Sequence, residues 1–114
     1  MRILVCGGRQ YTDAVRLVQV LDALHKKTPV AVVIHGDAYG ADRLADLWAS
    51  VNDVPVQPYP ADWDRYGNAA GPIRNRQMLV DGRPDLVVAF PGKHGTDHMV
   101  SIAKKAGVEV QVVE

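Results

Sequence analysis

Three segments of this chain place glycine directly after an apolar run and just ahead of a helical pattern. They are Cys6-Gly7-Gly8-Arg9, His35-Gly36-Asp37-Ala38-Tyr39-Gly40-Ala41-Asp42 and Pro91-Gly92-Lys93-His94-Gly95-Thr96. Segments of this kind can hold phosphate. Glycine lets the backbone approach a ligand closely and adopt positive φ, and the helix that follows offers unpaired N–H groups and a partial positive charge. One such loop is weak evidence, because tight strand-to-helix turns also use glycine for steric reasons. Three on one edge make a shared phosphate site the better reading. The loops contain neither a GxxxxGK P-loop nor a complete GxGxxG dinucleotide fingerprint. A fourth segment, Pro60 to Arg76, adds complementary chemistry. Trp63 and Tyr66 can stack on a base, or simply pin the segment to the body. Arg74 and Arg76 can pair with phosphate. They lie two apart on a helical pattern, so one of them is expected to face the site.

Other polar side chains on these loops have two readings each. Asp42 falls in the first turn of a helix, where an acidic residue favours the dipole, and it can also touch a ligand. Asp37 can accept from a ribose hydroxyl or close a local Asx turn. Arg9 and Tyr11 follow Gly7-Gly8 and can reach the ligand from there. His35, at the end of a buried strand, can do acid/base work or serve as a hydrogen-bonded core histidine. Cys6 has no identifiable activating partner, so buried packing is expected. His94, Asp97 and His98 lack the ordered spacing of a structural zinc site, and neither a metal nor a resident cofactor is expected.

The elements that position these loops alternate along the chain. Ile3 to Cys6, Val30 to Ile34 and Leu86 to Phe90 are continuous apolar runs, as in strands buried on both faces. Val54-Pro55-Val56 is a proline-interrupted candidate for an edge strand. Val108, Val110 and Val112 alternate with Glu109 and Gln111, the pattern of a half-exposed edge. Thr12 can cap a helix with apolar residues at Ala14, Leu17, Val18, Leu21 and Leu24. Ala41, Leu44, Ala45, Trp48 and Val51 mark a second helix. A third is expected to start at Pro72 and run to Gly82. A fourth, capped by Thr96, carries Met99, Ile102, Ala103 and Ala106 and ends at Gly107. This strand–helix alternation predicts an α/β domain with right-handed crossovers and a mainly parallel five-stranded sheet. Ligands of such sheets sit beyond the carboxyl ends of the strands, where the glycine segments lie.

The 114 residues fit a single domain, residues 1–114, with no repeat or linker. With 13 basic and 13 acidic residues the net charge is zero, which argues against a broad grip on duplex nucleic acid. A nucleotide needs only a few local donors. A lone cysteine and no signal or membrane-spanning pattern predict a cytoplasmic protein. Two candidate edge strands leave room for a homo-oligomer.

At these segments the chain resembles a known group. VCGGRxYxD, IHGxAxGADxLAxxWA, PADWxxYGxxAGPIRNxxML and DLVVAFPGxxGT together look like the YspA-type branch of the SLOG superfamily, and they cover nearly the whole chain. That superfamily includes the Lonely Guy phosphoribohydrolases, the DprA recombination mediators and sensor domains for nucleotide-derived signals. The resemblance implies a Rossmann-like, three-layer domain with strand order 3-2-1-4-5, which sets Gly7-Gly8 beside Pro91, Gly92, Gly95 and Thr96 at the switch point. The Lonely Guy enzymes carry PGGxGTxxE with a catalytic glutamate. Here the glycines and the threonine match, Arg74 (followed by Asn75) is the nearest counterpart of their arginine, and the glutamate position is Met99. Counted from a Thr96 cap, Met99 is the third helical residue, where it continues the apolar stripe and offers no carboxylate. The expected function is therefore binding or sensing of a nucleotide-type, phosphate-bearing ligand. The alternatives are an N-glycosidic hydrolase of nucleoside monophosphates, with acid/base work moved to an aspartate or His35, and a DprA-like binder of single-stranded nucleic acid, which the neutral charge weakens.

Overall fold

The continuous apolar runs become the central strands. In the computed structural model, which describes residues 1–114, β1 is Arg2–Cys6, β2 Val32–His35, β3 Val56–Pro58, β4 Leu86–Ala89 and β5 Glu109–Val112. All neighbours pair in parallel, in the order β3-β2-β1-β4-β5. Side chains of the inner strands alternate between two cores, because successive residues of a strand face opposite sides of the sheet. Ile3, Val5, Val33 and Val88 meet Leu17, Leu21, Ala45 and Trp48 on one side. Leu4, Ile34, Val87 and Ala89 meet Met78, Met99 and Ala103 on the other. The two edge strands are β3 and β5.

Helices α1 (Ala14–Lys27) and α2 (Ala41–Val51) supply the first core; α4 (Ala70–Gly82) and α5 (His94–Lys105) supply the second. The connection β1-α1-β2-α2-β3 runs outward one way from β1, and β4-α5-β5 runs outward the other way. With right-handed crossovers, reversing direction moves the helices to the opposite face. The result is a three-layer, Rossmann-like α/β domain whose switch point lies between β1 and β4. None of its helices is long and apolar enough to cross a membrane.

Several boundaries differ from the expectation. Asp13, not Thr12, caps α1, its Oδ1 accepting from the Arg16 N–H at 3.0 Å. β3 begins two residues late, because the Val54 N–H is drawn back to the Ala49 carbonyl at the end of α2. α4 begins at Ala70, so Pro72 is its third residue. First-turn amides have no helical acceptor, and proline is tolerated there as readily as at the first position. The Pro60–Arg76 segment is not a plain loop. It contains a one-turn helix, α3 (Trp63–Tyr66), capped by Asp62, then a 3-10 turn at Gly67–Ala69.

Two further differences bear on the site. Helix α5 begins at His94, with Lys93 in the cap position and no side chain capping it. Thr96 therefore lies inside the first turn, buried. Met99 is the sixth helical residue, not the third, and is fully buried in the second core. At β5, Val108 and Val110 pack inward as expected. Val112 is 58 % exposed instead, and the next residue, Val113, crosses to the first core.

Candidate functional site

At the carboxyl edge three loops lock into one another. The Gly8 N–H donates to the Pro91 carbonyl at 2.8 Å, while the Gly8 carbonyl accepts from Ala41 at 3.3 Å and from Tyr11 at 3.2 Å. Most of the glycines here exist because another chain segment occupies the place of a side chain. A Cβ on Gly7 would come 2.6 Å from the Ala41 Cβ and 3.0 Å from that of Phe90. Gly40 holds φ +79°, and a Cβ there would overlap the Gly8 carbonyl and come 2.7 Å from the Arg9 carbonyl carbon. A Cβ on Gly92 would strike the Thr96 hydroxyl and the Gly8 nitrogen. Gly95 differs: nothing lies within 4 Å of its Cβ position.

Between these loops and α4 lies a cleft of about 910 Å³. Its floor is formed by the buried side chains of Cys6, Asp42, Asn75 and Met78 with the half-buried Arg74. Its rim carries the exposed Arg9, Trp63, Lys93, His94 and Gly95. The Arg9 guanidinium sits 5.3 Å from the centre of the Trp63 ring, a cation–π pair across the mouth. The N-terminus of α5 opens into this space. No side chain caps it, and the first of its amides to find a backbone partner is that of Asp97, which donates to Lys93. A second recess, of about 600 Å³, lies between α5 and the end of β5. Its one cation, Lys104, is offset by Asp97 and Glu114, so it offers an anion far less than the cleft does.

The floor is wired by hydrogen bonds. Asp42 Oδ2 accepts from the amides of Gly36 at 3.0 Å and Ala38 at 3.2 Å. Its Oδ1 has no protein partner and is not sealed off, and Asp42 lines the cleft. Burial raises the Asp42 carboxyl above its ordinary pKa; the Ala38 and Gly36 amides and the Arg74 guanidinium oppose the rise. Arg74 Nη1 donates to the Gly36 carbonyl at 2.6 Å and Nε to Asn75 Oδ1 at 3.1 Å. Burial lowers the guanidinium's pKa, with Asp42 pulling it back. Asn75 Nδ2 then donates to the Gly95 carbonyl and to His98 Nδ1, both at 3.1 Å. A chain of contacts thus runs from the β2 loop to the start of α5. His98 titrates below its ordinary range, because of burial first and of Arg76 and Lys105 next.

Of the residues singled out from sequence, the structure brings Gly7, Gly8, Arg9, Asp42, Trp63, Arg74, Asn75, Pro91, Gly92, Gly95 and Thr96 to the cleft wall. Gly36, Asp37, Gly40 and Tyr66 do not line it. Gly36 is the seat on which the Arg74 guanidinium rests. Asp37 takes φ 55° and its carboxylate lies 3.6 Å from the Arg43 guanidinium. Tyr66 packs on its own neighbour Arg65. Of the two arginines, Arg74 faces the cleft and Arg76 is exposed outside it.

His35 is a core residue. Its Nδ1 accepts from the Asp37 N–H at 3.0 Å, leaving Nε2 to donate to Asp46 at 2.7 Å. Cys6 is buried, and burial pushes its thiol pKa far up, which suits packing and not nucleophilic attack. No three His, Cys, Asp or Glu side chains converge as a metal-binding group. Lys93, His94 and His98 were not among the expected ligand contacts. The signal for the histidines was present, since His94 and His98 are four apart and share one face of α5.

The fold and the cleft at its switch point define a Rossmann-like domain with its candidate site at the carboxyl edge. More narrowly, the chain belongs to the YspA, cpYpsA-related SLOG family, whose model matches residues 1–66. It is similar to the Gene 61 protein of Mycobacterium phage D29, with 39 % identity over 117 residues, covering 96 % of this chain and 93 % of that protein. No solved structure matches the chain.

Proposed function

We propose that this chain binds a nucleotide or nucleotide-derived phosphate ester in the cleft, in a binding or sensing role within the cytoplasm. The carrying observation is the uncapped N-terminus of α5, which opens into the cleft at Gly95, a cleft also lined by Lys93 and Arg9. Free amides and the helix dipole favour an anion there by about 0.3–1 kcal/mol, and more where partly buried. Arg9 and Lys93 add positive charge at the rim, and Trp63 offers a stacking face for a base. Membership of a SLOG family supports a ligand-binding domain. The partner in this reading is a small molecule and not a nucleic acid, in keeping with zero net charge.

Hydrolysis of an N-glycosidic bond is a second reading with one observation in its favour. Asp42 keeps a free carboxyl oxygen in the cleft, whereas Met99 is buried in the core and reaches no ligand.

The test begins with purified protein, denatured to release whatever it carries. A phosphate-bearing nucleotide identified by mass spectrometry is the expected result. That compound is then titrated into fresh protein and into the Gly95→Val variant. The new side chain enters open space, so the fold should hold while affinity falls about tenfold or more. Unchanged affinity would remove the phosphate from α5. Release of free base during incubation would replace binding with hydrolysis.

A further inference from the structure

The floor of the cleft holds a feature that phosphate binding does not use. Gly36 is gripped from both ends: its N–H donates to Asp42 Oδ2, and its carbonyl accepts from Arg74 Nη1. The grip fixes a carboxylate and a guanidinium on either side of one residue. Each keeps an atom free. Asp42 Oδ1 and Arg74 Nη2 make no hydrogen bond within the protein, and neither is sealed from solvent. Asp42 itself is only 6 % exposed, so what remains accessible of it is what the cleft reaches. A deeply buried carboxyl with one oxygen left unpaired is costly unless something supplies a donor.

The chemistry of that donor follows from the pair. An acceptor and a donor held at the two ends of one residue suit a group that can both give and take hydrogen bonds. A phosphate does not qualify, because the Asp42 carboxylate would oppose it and already offsets Arg74. A base is poorly served as well. The aromatic stacking face, Trp63, is at the rim, while the floor beside the pair is made of Cys6 and Met78. Vicinal hydroxyls fit on both counts, being neutral and bifunctional. They also belong to the part of a nucleotide that lies next to its 5′-phosphate.

We infer that Asp42 Oδ1 and Arg74 Nη2 form a subsite for the 2′,3′-diol of a ribose, so that the cleft selects ribonucleotides over deoxyribonucleotides. The inference rests on the proposed nucleotide reading and adds to it the sugar class and the orientation. The diol lies at the floor and the phosphate at the N-terminus of α5. Asp42 is then held in place by two backbone amides before the ligand arrives. Such preorganisation makes a hydrogen bond from a hydroxyl to a charged group worth more than one to a neutral amide.

The probes are the four ribonucleoside 5′-monophosphates, their 2′-deoxy counterparts and their 2′,3′-dideoxy counterparts, titrated calorimetrically into the full chain. For any base that binds, affinity should fall about tenfold at the first hydroxyl removed and again at the second, the scale of a lost charge-assisted hydrogen bond. In Asp42→Asn the amide oxygen can still accept from Gly36 and Ala38, so the loop should keep its shape. There the ribose preference should shrink to about threefold or less, as a neutral hydrogen bond replaces a charged one. Equal affinity for ribose and deoxyribose forms in the unaltered protein would overturn the diol subsite and leave the phosphate site standing. No binding by any of the twelve would overturn the nucleotide reading and this inference together.

Discussion

Two helix N-termini meet at the carboxyl edge, and they are finished in opposite ways. Both α2 and α5 follow a glycine-bearing loop, and neither has a side-chain cap. At α2 the first amide donates to the Gly8 carbonyl, and Asp42 folds back to take two amides of the loop that leads in. That end is closed by the protein itself. At α5 nothing comparable happens, and the amides of its first turn face the cleft. The β1 loop serves both, since Gly8 donates to the Pro91 carbonyl on one side and accepts from Ala41 on the other. Glycine before a helix therefore has two meanings in this chain. In the β2 loop Gly40 makes room for other backbone; Gly95, the second residue of α5, has nothing within 4 Å of its Cβ position.

The sharpest way to break this contrast is at Gly40. Alanine there must hold φ +79° and also displace the Gly8 and Arg9 carbonyls. Left-handed strain and overpacking in a locked loop together should cost about 3 kcal/mol or more. Urea denaturation of Gly40→Ala should show that loss as a lower midpoint with an unchanged slope. A variant within experimental error of the parent would mean that the loops are not locked.

Next in size is the closing carboxylate. Asp42→Ala leaves the Gly36 and Ala38 amides without their acceptor in a buried place, a loss of about 1–3 kcal/mol. Asp42→Asn keeps an oxygen for them and should lose much less. If the two variants are equally destabilised, the amides are not what Asp42 satisfies.

The difference between the two ends was only partly legible in the sequence. The strands were, because parallel strands buried on both faces leave unbroken apolar runs that little else produces. The sheet order followed from the family resemblance. The edge that carries the cleft followed from topology, and eleven of the fifteen residues expected at a ligand line that cleft. What failed was one-residue detail at helix starts. Thr12 and Asp13 are equally good caps by type, and only the local φ/ψ decides between them. At α5 the chemically plausible cap, Thr96, is passed over for Lys93, which has no capping oxygen. Periodicity locates a helix face, not its first residue. The same error put Met99 in the first turn, although its apolar role was read correctly. Gly36 and Gly40 were taken for ligand contacts because sequence alone cannot tell a glycine shaped by protein from one shaped by a ligand.

The closed end should also respond to pH in an unusual direction. Folding raises the Asp42 carboxyl above its ordinary value of 3.8. Protonation is therefore favoured more in the folded than in the unfolded chain, and its contribution is complete below that ordinary value. It is lost as pH rises through the folded pKa, opposite to a salt-bridged carboxylate. Urea unfolding of the parent and of Asp42→Asn, compared from about pH 4 to about pH 8, isolates this group. The parent should lose stability relative to the variant as pH rises. A parent that gains on the variant over that range would show that its carboxylate is stabilised, not penalised, by burial.

The smallest effect is expected at the open end, and its smallness is the point. Gly95 is the second residue of α5, outside the left-handed region of φ, and its Cβ position meets nothing within 4 Å. Alanine can take up that conformation without strain, and it reduces the freedom of the unfolded chain. Gly95→Ala should therefore be neutral or stabilising by about 0.5 kcal/mol. Its sign is opposite to that of Gly40→Ala although both residues adjoin a helix start on the same edge. If Gly95→Ala costs as much as Gly40→Ala, then Gly95 is a packing glycine like the others. The argument that α5 is open for a ligand would fall with it.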